Sequence, residues 1–133
     1  MKKLFKSAMV ILIMTISVSA FSQKDESRLD HNFTHVVYFW LNNPDSQQDR
    51  KDFETSLKKF LKGSKYAKTK FIGVPAGTAR EVVDNSFTYS IILSFASKEE
   101  QDKYQKEAAH LKFIEESEHL WNKVQVYDAL GLD

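Results

Sequence analysis

Nine consecutive residues, Phe33-Thr-His-Val-Val-Tyr-Phe-Trp-Leu41, are almost all β-branched or aromatic. Such residues favour a strand, and strand alternation sets Phe33, His35, Val37, Phe39 and Leu41 on one face and Thr34, Val36, Tyr38 and Trp40 on the other. Both faces are apolar. A strand with one solvated face alternates apolar and polar residues, so this one must be covered on both sides. Helices of the same chain can cover one side; the other needs a second cover.

The rest of the chain supplies the first. Asn43-Pro-Asp-Ser46 reads as a turn and helix start, followed by Phe53, Leu57, Phe60 and Leu61 at the spacing of one apolar helical stripe. Gly63 ends that helix, and Thr69 to Val74 gives a short strand stopped by Pro75. A long connection, residues 76–86, leads to a strand over Phe87 to Phe95. Its predicted inner face carries Phe87, Tyr89, Ile91, Leu93 and Phe95. Ser97-Lys-Glu-Glu100 has the pattern of a capping box, and the helix it opens carries Tyr104, loosens around Ala108-Ala109 and runs on to Trp121. Lys123 to Tyr127 is the last strand. The order βαββαβ predicts an α+β, ferredoxin-like subunit with both helices on one face of a four-stranded antiparallel sheet.

Lys2, Lys3 and Lys6 precede an uncharged apolar run from Ala8 to Ile16, and small residues follow at Ala20 and Ser22. This is the layout of a secretory signal peptide, with cleavage after either small residue. The run is shorter than the roughly 20 residues needed to span a bilayer, so no stable membrane anchor is expected. With residues 1–22 taken as the signal peptide, three lysines and no acid are lost, leaving 16 basic and 18 acidic residues. The predicted mature protein is mildly acidic, exported, and periplasmic or secreted. It has no cysteine, which excludes disulfides, thiolate chemistry and a lipoprotein anchor. Residues 23–32 are polar and charged and read as a flexible tether, leaving 33–130 as one domain.

In a ferredoxin-like subunit the sheet face away from the helices is bare, and here it carries Val36, Tyr38 and Trp40. A contiguous aromatic patch of that kind marks an interface. A second copy of the chain, sheet against sheet, would close it as a homodimer. The tether has too little apolar area to do so.

His35 on the first strand, Phe87-Thr-Tyr-Ser90 at the third, and Tyr104-x5-His110-x2-Phe113 before a valine-rich last strand resemble the stress-responsive dimeric α/β-barrel (Dabb) family. The loop Pro75 to Ser86 is also similar to one in bacterial members. The resemblance covers roughly residues 33–128 and implies a ferredoxin-like subunit pairing into a dimeric barrel. It further implies a pocket between sheet and helices, where a plant polyketide cyclase of the family uses a histidine and a tyrosine that correspond to His110 and Tyr104. That enzyme's first-strand histidine corresponds to His35. The chain departs from the family at two points: Glu107-Ala108 stands where His-Pro is usual, and Tyr89 where the cyclase has histidine on the third strand.

Those residue types suit proton chemistry. A neutral histidine can take a proton from carbon next to a carbonyl while a hydroxyl holds the developing oxyanion. Here His110 is the candidate base, Tyr104 the oxyanion donor or orienting partner, and His35 a second polar wall. On an unbroken helix, residues six apart lie about 120° from facing each other, so a shared pocket requires a bend near Ala108. The bland alternatives stand beside these roles: His110 as a core histidine bonded to backbone, His35 as a packed and satisfied one, Glu107 as a solvated surface acid.

Two histidines without placed carboxylates are a thin metal-ligand set, so neither metal nor cofactor is expected. His31 falls in the tether and His119 on the solvent side of its helix. Phosphate-loop, dinucleotide and GxSxG patterns are missing. Six lysines between Lys58 and Lys70 read as a solvated face without the aromatic interleaving of nucleic-acid binders. Two functions from different classes remain. The first is a binding module that holds a small hydrophobic molecule in a pocket lined by His35, Phe39, Tyr89, Ile91, Tyr104 and His110. The second is a cofactor-independent cyclase, isomerase or monooxygenase using His110 as general base with Tyr104.

Overall fold

A computed structural model describes residue 30 and residues 32–132. The predicted signal peptide and most of the predicted tether lie outside them. Strand β1 (Phe33–Leu41) leads to helix α1 (Gln47–Gly63), strands β2 (Lys70–Gly73) and β3 (Tyr89–Phe95), helices α2 (Lys98–Lys106) and α3 (Ala108–Ser117), a single 3₁₀ turn (Glu118–Leu120) and strand β4 (Trp121–Leu130). The sheet order is β2-β3-β1-β4, with every adjacent pair antiparallel. This is the expected ferredoxin-like topology, with its second helix in two pieces.

Directly paired residues share a face, so the register reads out both sides of the sheet. One face carries the rows Val124–Phe39–Tyr89, Val126–Val37–Ile91–Ile72 and Asp128–His35–Leu93–Lys70. On it Phe33, His35, Val37, Phe39 and Leu41 are all buried, packed with the α1 stripe Phe53, Leu57, Phe60 and Leu61 into one core. Aromatic rings fill much of that core: Phe53 stacks on Tyr89 with centroids 4.9 Å apart, and Phe60 on Phe113 at 5.1 Å. The opposite face carries Tyr127–Val36–Ile92–Phe71 in one row and Tyr38 and Trp40 beside it.

The helix starts follow from side-chain capping. Ser46 accepts the Asp49 N–H and Ser97 the Glu100 N–H, each at 3.2 Å, satisfying donors that have no intrahelical partner. The expected capping box at Ser97 is only half made, because the Glu100 carboxylate accepts from Lys103 Nζ instead, at 2.6 Å.

Several boundaries differ from expectation. Phe87 precedes β3 rather than opening it. Its ring packs on Tyr38 at 4.8 Å, so it belongs to the outer face and not the inner one. Trp121 begins β4 instead of closing a helix, and β4 runs on past Tyr127 to Leu130. Residues at the end of the predicted tether are tied down: the Asp30 N–H donates to Ser94 Oγ at 3.1 Å, and Asn32 Nδ2 donates to the Ala96 carbonyl at 3.0 Å. No helix among the described residues is long and apolar enough to cross a membrane.

Candidate functional site

Packing of the helices on the sheet leaves a gap at one edge. Strand β4 is an edge strand that the helices do not cover, and Val124 and Val126 are 38% and 41% exposed on its inner face. Between these valines and helices α2 and α3 lies a cleft of about 220 Å³. Phe39, Phe60, Phe113 and Trp121 form its aromatic wall, and Val37, Ile91 and Ile114 its aliphatic one. His35, Tyr104 and His110 supply the polar groups.

The bend that the sequence required is present, one residue earlier than expected. Glu107 is extended, with φ −68° and ψ 147°, and separates α2 from α3. It brings the rings of Tyr104 and His110 to 5.0 Å between centroids, while His35 stands edge-on to Tyr104 at 5.7 Å. All three candidate polar residues therefore share one cleft.

Each has a defined hydrogen-bonding state. His110 Nδ1 lies 3.1 Å from the Gln105 carbonyl oxygen. A carbonyl only accepts, so Nδ1 carries the proton and Nε2 keeps its lone pair. That carbonyl would take the Ala109 N–H in an unbroken helix; the break frees it, and the imidazole fills the vacancy. Burial holds His110 below the ordinary histidine value of 6.5; the Gln105 carbonyl and Glu107 oppose this, and His35 reinforces it. A neutral imidazole with a bare Nε2 results, which is the form a base or acceptor needs.

Tyr104 is 1% exposed. Burial pushes its hydroxyl up, and the nearby Glu107 and Asp128 carboxylates push the same way. It stays protonated and can donate. Among the described residues neither the Tyr104 hydroxyl nor His110 Nε2 has a hydrogen-bond partner. His35 is oriented by Asp128, whose Oδ1 lies 2.5 Å from Nδ1. The ring is 4% exposed and the carboxylate 44%, so a surface acid reaches in and fixes the proton of a buried histidine on Nδ1.

Of the other residues expected at a pocket, Phe39 and Ile91 line this cleft and Tyr89 does not. Its ring lies further along the core against Phe53, and its hydroxyl donates to Glu54 Oε1 at 2.8 Å. Sequence reading also missed Asp128, because the last strand was ended at Tyr127; continuing the Val124, Val126 alternation by one step reaches it. Among the described residues no group of three or more histidines, aspartates or glutamates is placed to hold a metal ion. His119 is exposed at the surface, and His31 lies outside the described residues.

An apolar cleft walled by sheet and helices, with three polar side chains along one side, thus lies in a ferredoxin-like α+β domain. The chain belongs to the stress responsive A/B barrel domain (Dabb) family, whose model matches residues 33–130. Solved structures share the fold at low identity. Hydroxynitrile lyase from Passiflora edulis is 18% identical with a TM-score of 0.64, covering 76% of this chain and 94% of its own. A Dabb family protein with a ferredoxin-like fold from Mesorhizobium loti gives the same identity and TM-score, covering 76% and 97%. A dimeric ferredoxin-like protein of unknown function from Thermobifida fusca is 14% identical with a TM-score of 0.62, covering 74% and 90%. No curated protein matches the sequence.

Proposed function

We propose that this is an exported, homodimeric A/B barrel protein that binds a small hydrophobic molecule in the cleft between β4 and helices α2 and α3. The observation that carries it is the cleft itself: aromatic and aliphatic walls around the Tyr104 hydroxyl as donor and the His110 Nε2 lone pair as acceptor. Pockets for small organic ligands have this composition. Size narrows the ligand. An apolar cavity of roughly 150 Å³ accommodates benzene, so a cleft of about 220 Å³ suits a single ring bearing a short oxygen-containing substituent. Export is supported by the basic, apolar and small-residue pattern of residues 1–22. Dimer formation is supported by the apolar outer face, and a neighbour of the same fold is described as dimeric.

A panel of single-ring phenols, aldehydes and ketones, titrated into the protein and followed by amide and ring NMR, tests the binding role. Ligands of this class should shift Tyr104, His110, Val124 and Val126 together, and Tyr104→Phe should weaken binding about tenfold, the worth of one hydrogen bond to a buried oxygen. Absence of any shift at these residues across the panel contradicts it.

A second function, cofactor-independent catalysis, is favoured by the state of His110. Its Nδ1–H is committed to a backbone carbonyl, which leaves Nε2 as a neutral base beside a phenol donor. Removal of a proton next to a carbonyl, with Tyr104 holding the oxyanion, fits that arrangement. A neighbour of the same fold is a hydroxynitrile lyase. Turnover of a bound ligand that disappears in His110→Gln while binding persists separates catalysis from simple binding.

A further inference from the structure

The break between α2 and α3 is not dictated by residue type. Gln105-Lys-Glu-Ala-Ala109 contains neither proline nor glycine and consists of strong helix formers, whereas sharp helix kinks ordinarily arise at such residues or where a side chain enters the hydrogen-bond ladder. Here the His110 ring does enter the ladder, at the Gln105 carbonyl, and a tertiary tie is made beside it. At the break, Glu107 is tied in three directions. Its N–H donates to the Tyr104 carbonyl at 3.2 Å, closing α2, and its carbonyl accepts from the N–H groups of His110 and Leu111 at 3.0 and 3.1 Å, opening α3. Its side chain crosses to a third element: Oε2 accepts the Lys65 N–H at 3.1 Å in the connection between α1 and β2. The other oxygen, Oε1, is buried with no partner among the described residues. A merely solvated glutamate does not leave a carboxylate oxygen in that state.

We propose that Glu107 is the positioning residue of the Tyr104–His110 pair: by holding the Lys65 N–H, its carboxylate pins the helix break to the α1–β2 connection and so sets His110 against Tyr104. Without that pin, the local preference for helix reasserts itself through Gln105 to Ala109. The two side chains then turn about 120° apart, and the Gln105 carbonyl returns to the backbone ladder. Glu107 touches no ligand in this role; its value for binding rests on the proposed function, but its effect on geometry does not.

The test therefore uses the ligand-free protein. Ring-to-ring NOEs between Tyr104 and His110, the His110 Nδ1–H signal and the Lys65 amide exchange rate are compared in wild type, Glu107→Gln, Glu107→Ala and the double variant Glu107→Ala, Ala108→Pro. Glutamine retains an accepting oxygen, so Glu107→Gln should keep the NOEs, the Nδ1–H signal and the protection of Lys65. Glu107→Ala should lose the NOEs and the Nδ1–H signal and exchange Lys65 at least tenfold faster. Proline at 108, the first residue of α3, favours a helix start there and an extended residue before it. The double variant should recover the NOEs while Lys65 remains fast. Retention of the NOEs and of Lys65 protection in Glu107→Ala overturns the inference, as does failure of the proline to restore them. Ligand binding plays no part, so a failed ligand panel leaves this result standing on its own.

Discussion

At the residue scale, the orientation of two histidines follows from what each Nδ1 touches. His110 gives its proton to a freed backbone carbonyl, and His35 to Asp128. Because burial depresses the folded-state value of His110 below 6.5, the unfolded chain takes up that proton first as pH falls. The stability contributed by the neutral ring is full above about pH 6.5 and declines below it, until the native ring also protonates. The difference in unfolding free energy between wild type and His110→Phe should accordingly shrink between pH 7.5 and 5.5, measured by urea denaturation; a pH-independent difference speaks against a depressed value. Asp128→Ala leaves the buried His35 N–H without its acceptor, and should cost about 1–3 kcal/mol in the same assay. The bare identity of His35, Tyr104 and His110 as polar residues on apolar elements was legible in the sequence. Their partners were not, because Gln105 contributes a main-chain oxygen and Asp128 looks like the solvated end of a strand.

At the element scale, caps, periodicity and the need for a break were readable, and the contacts that hold the break were not. The alternation of β1 matched its buried set residue for residue, and the apolar stripe of α1 is buried throughout with Ser56 added to it, since each depends on a repeat that local sequence carries. The loosening near Ala108 was required by geometry and appeared at Glu107, yet the residues there favour a continuous helix, and the contacts made at the break, Glu107 to the Lys65 N–H and His110 to the Gln105 carbonyl, are not carried by any repeat. Tyr89 was misplaced for a related reason. Strand parity put it on the inner face correctly, but position along that face depends on which helix ring it meets, and Phe53 holds it away from the cleft. Ser97→Ala should remove the acceptor for the Glu100 N–H and destabilise by about 1 kcal/mol. In hydrogen exchange the loss should be confined to the first turn of α2; an effect spread evenly through the protein would argue against a capping role.

At the scale of the whole molecule, the two faces of the sheet have different fates. The inner face is covered by helices over β1 and β3 but left open along β4, and that opening creates the cleft. The outer face is only partly covered, by Phe87 on Tyr38, by Ser86 bonded to the Trp40 indole, and by Lys123 over the Trp40 ring at 4.0 Å. Phe71 and Tyr127 remain 51% and 60% exposed at the two ends of a four-residue apolar row. A monomer rarely leaves such a row to water. A charge placed in it, Tyr127→Glu, should convert a dimer to monomer in analytical ultracentrifugation while leaving ligand shifts at Tyr104 and His110 in place, because the cleft is on the other side of the sheet. A wild-type monomer at micromolar concentration would contradict the dimer.

In the proposed function, the cleft beside β4 holds a small molecule through His110 and Tyr104. Native mass spectrometry of the protein purified from its own cells, beside His110→Ala, tests it most directly. A small mass retained by wild type and lost from the variant is the predicted result. Bare protein in both spectra, or an adduct equally retained in both, contradicts it.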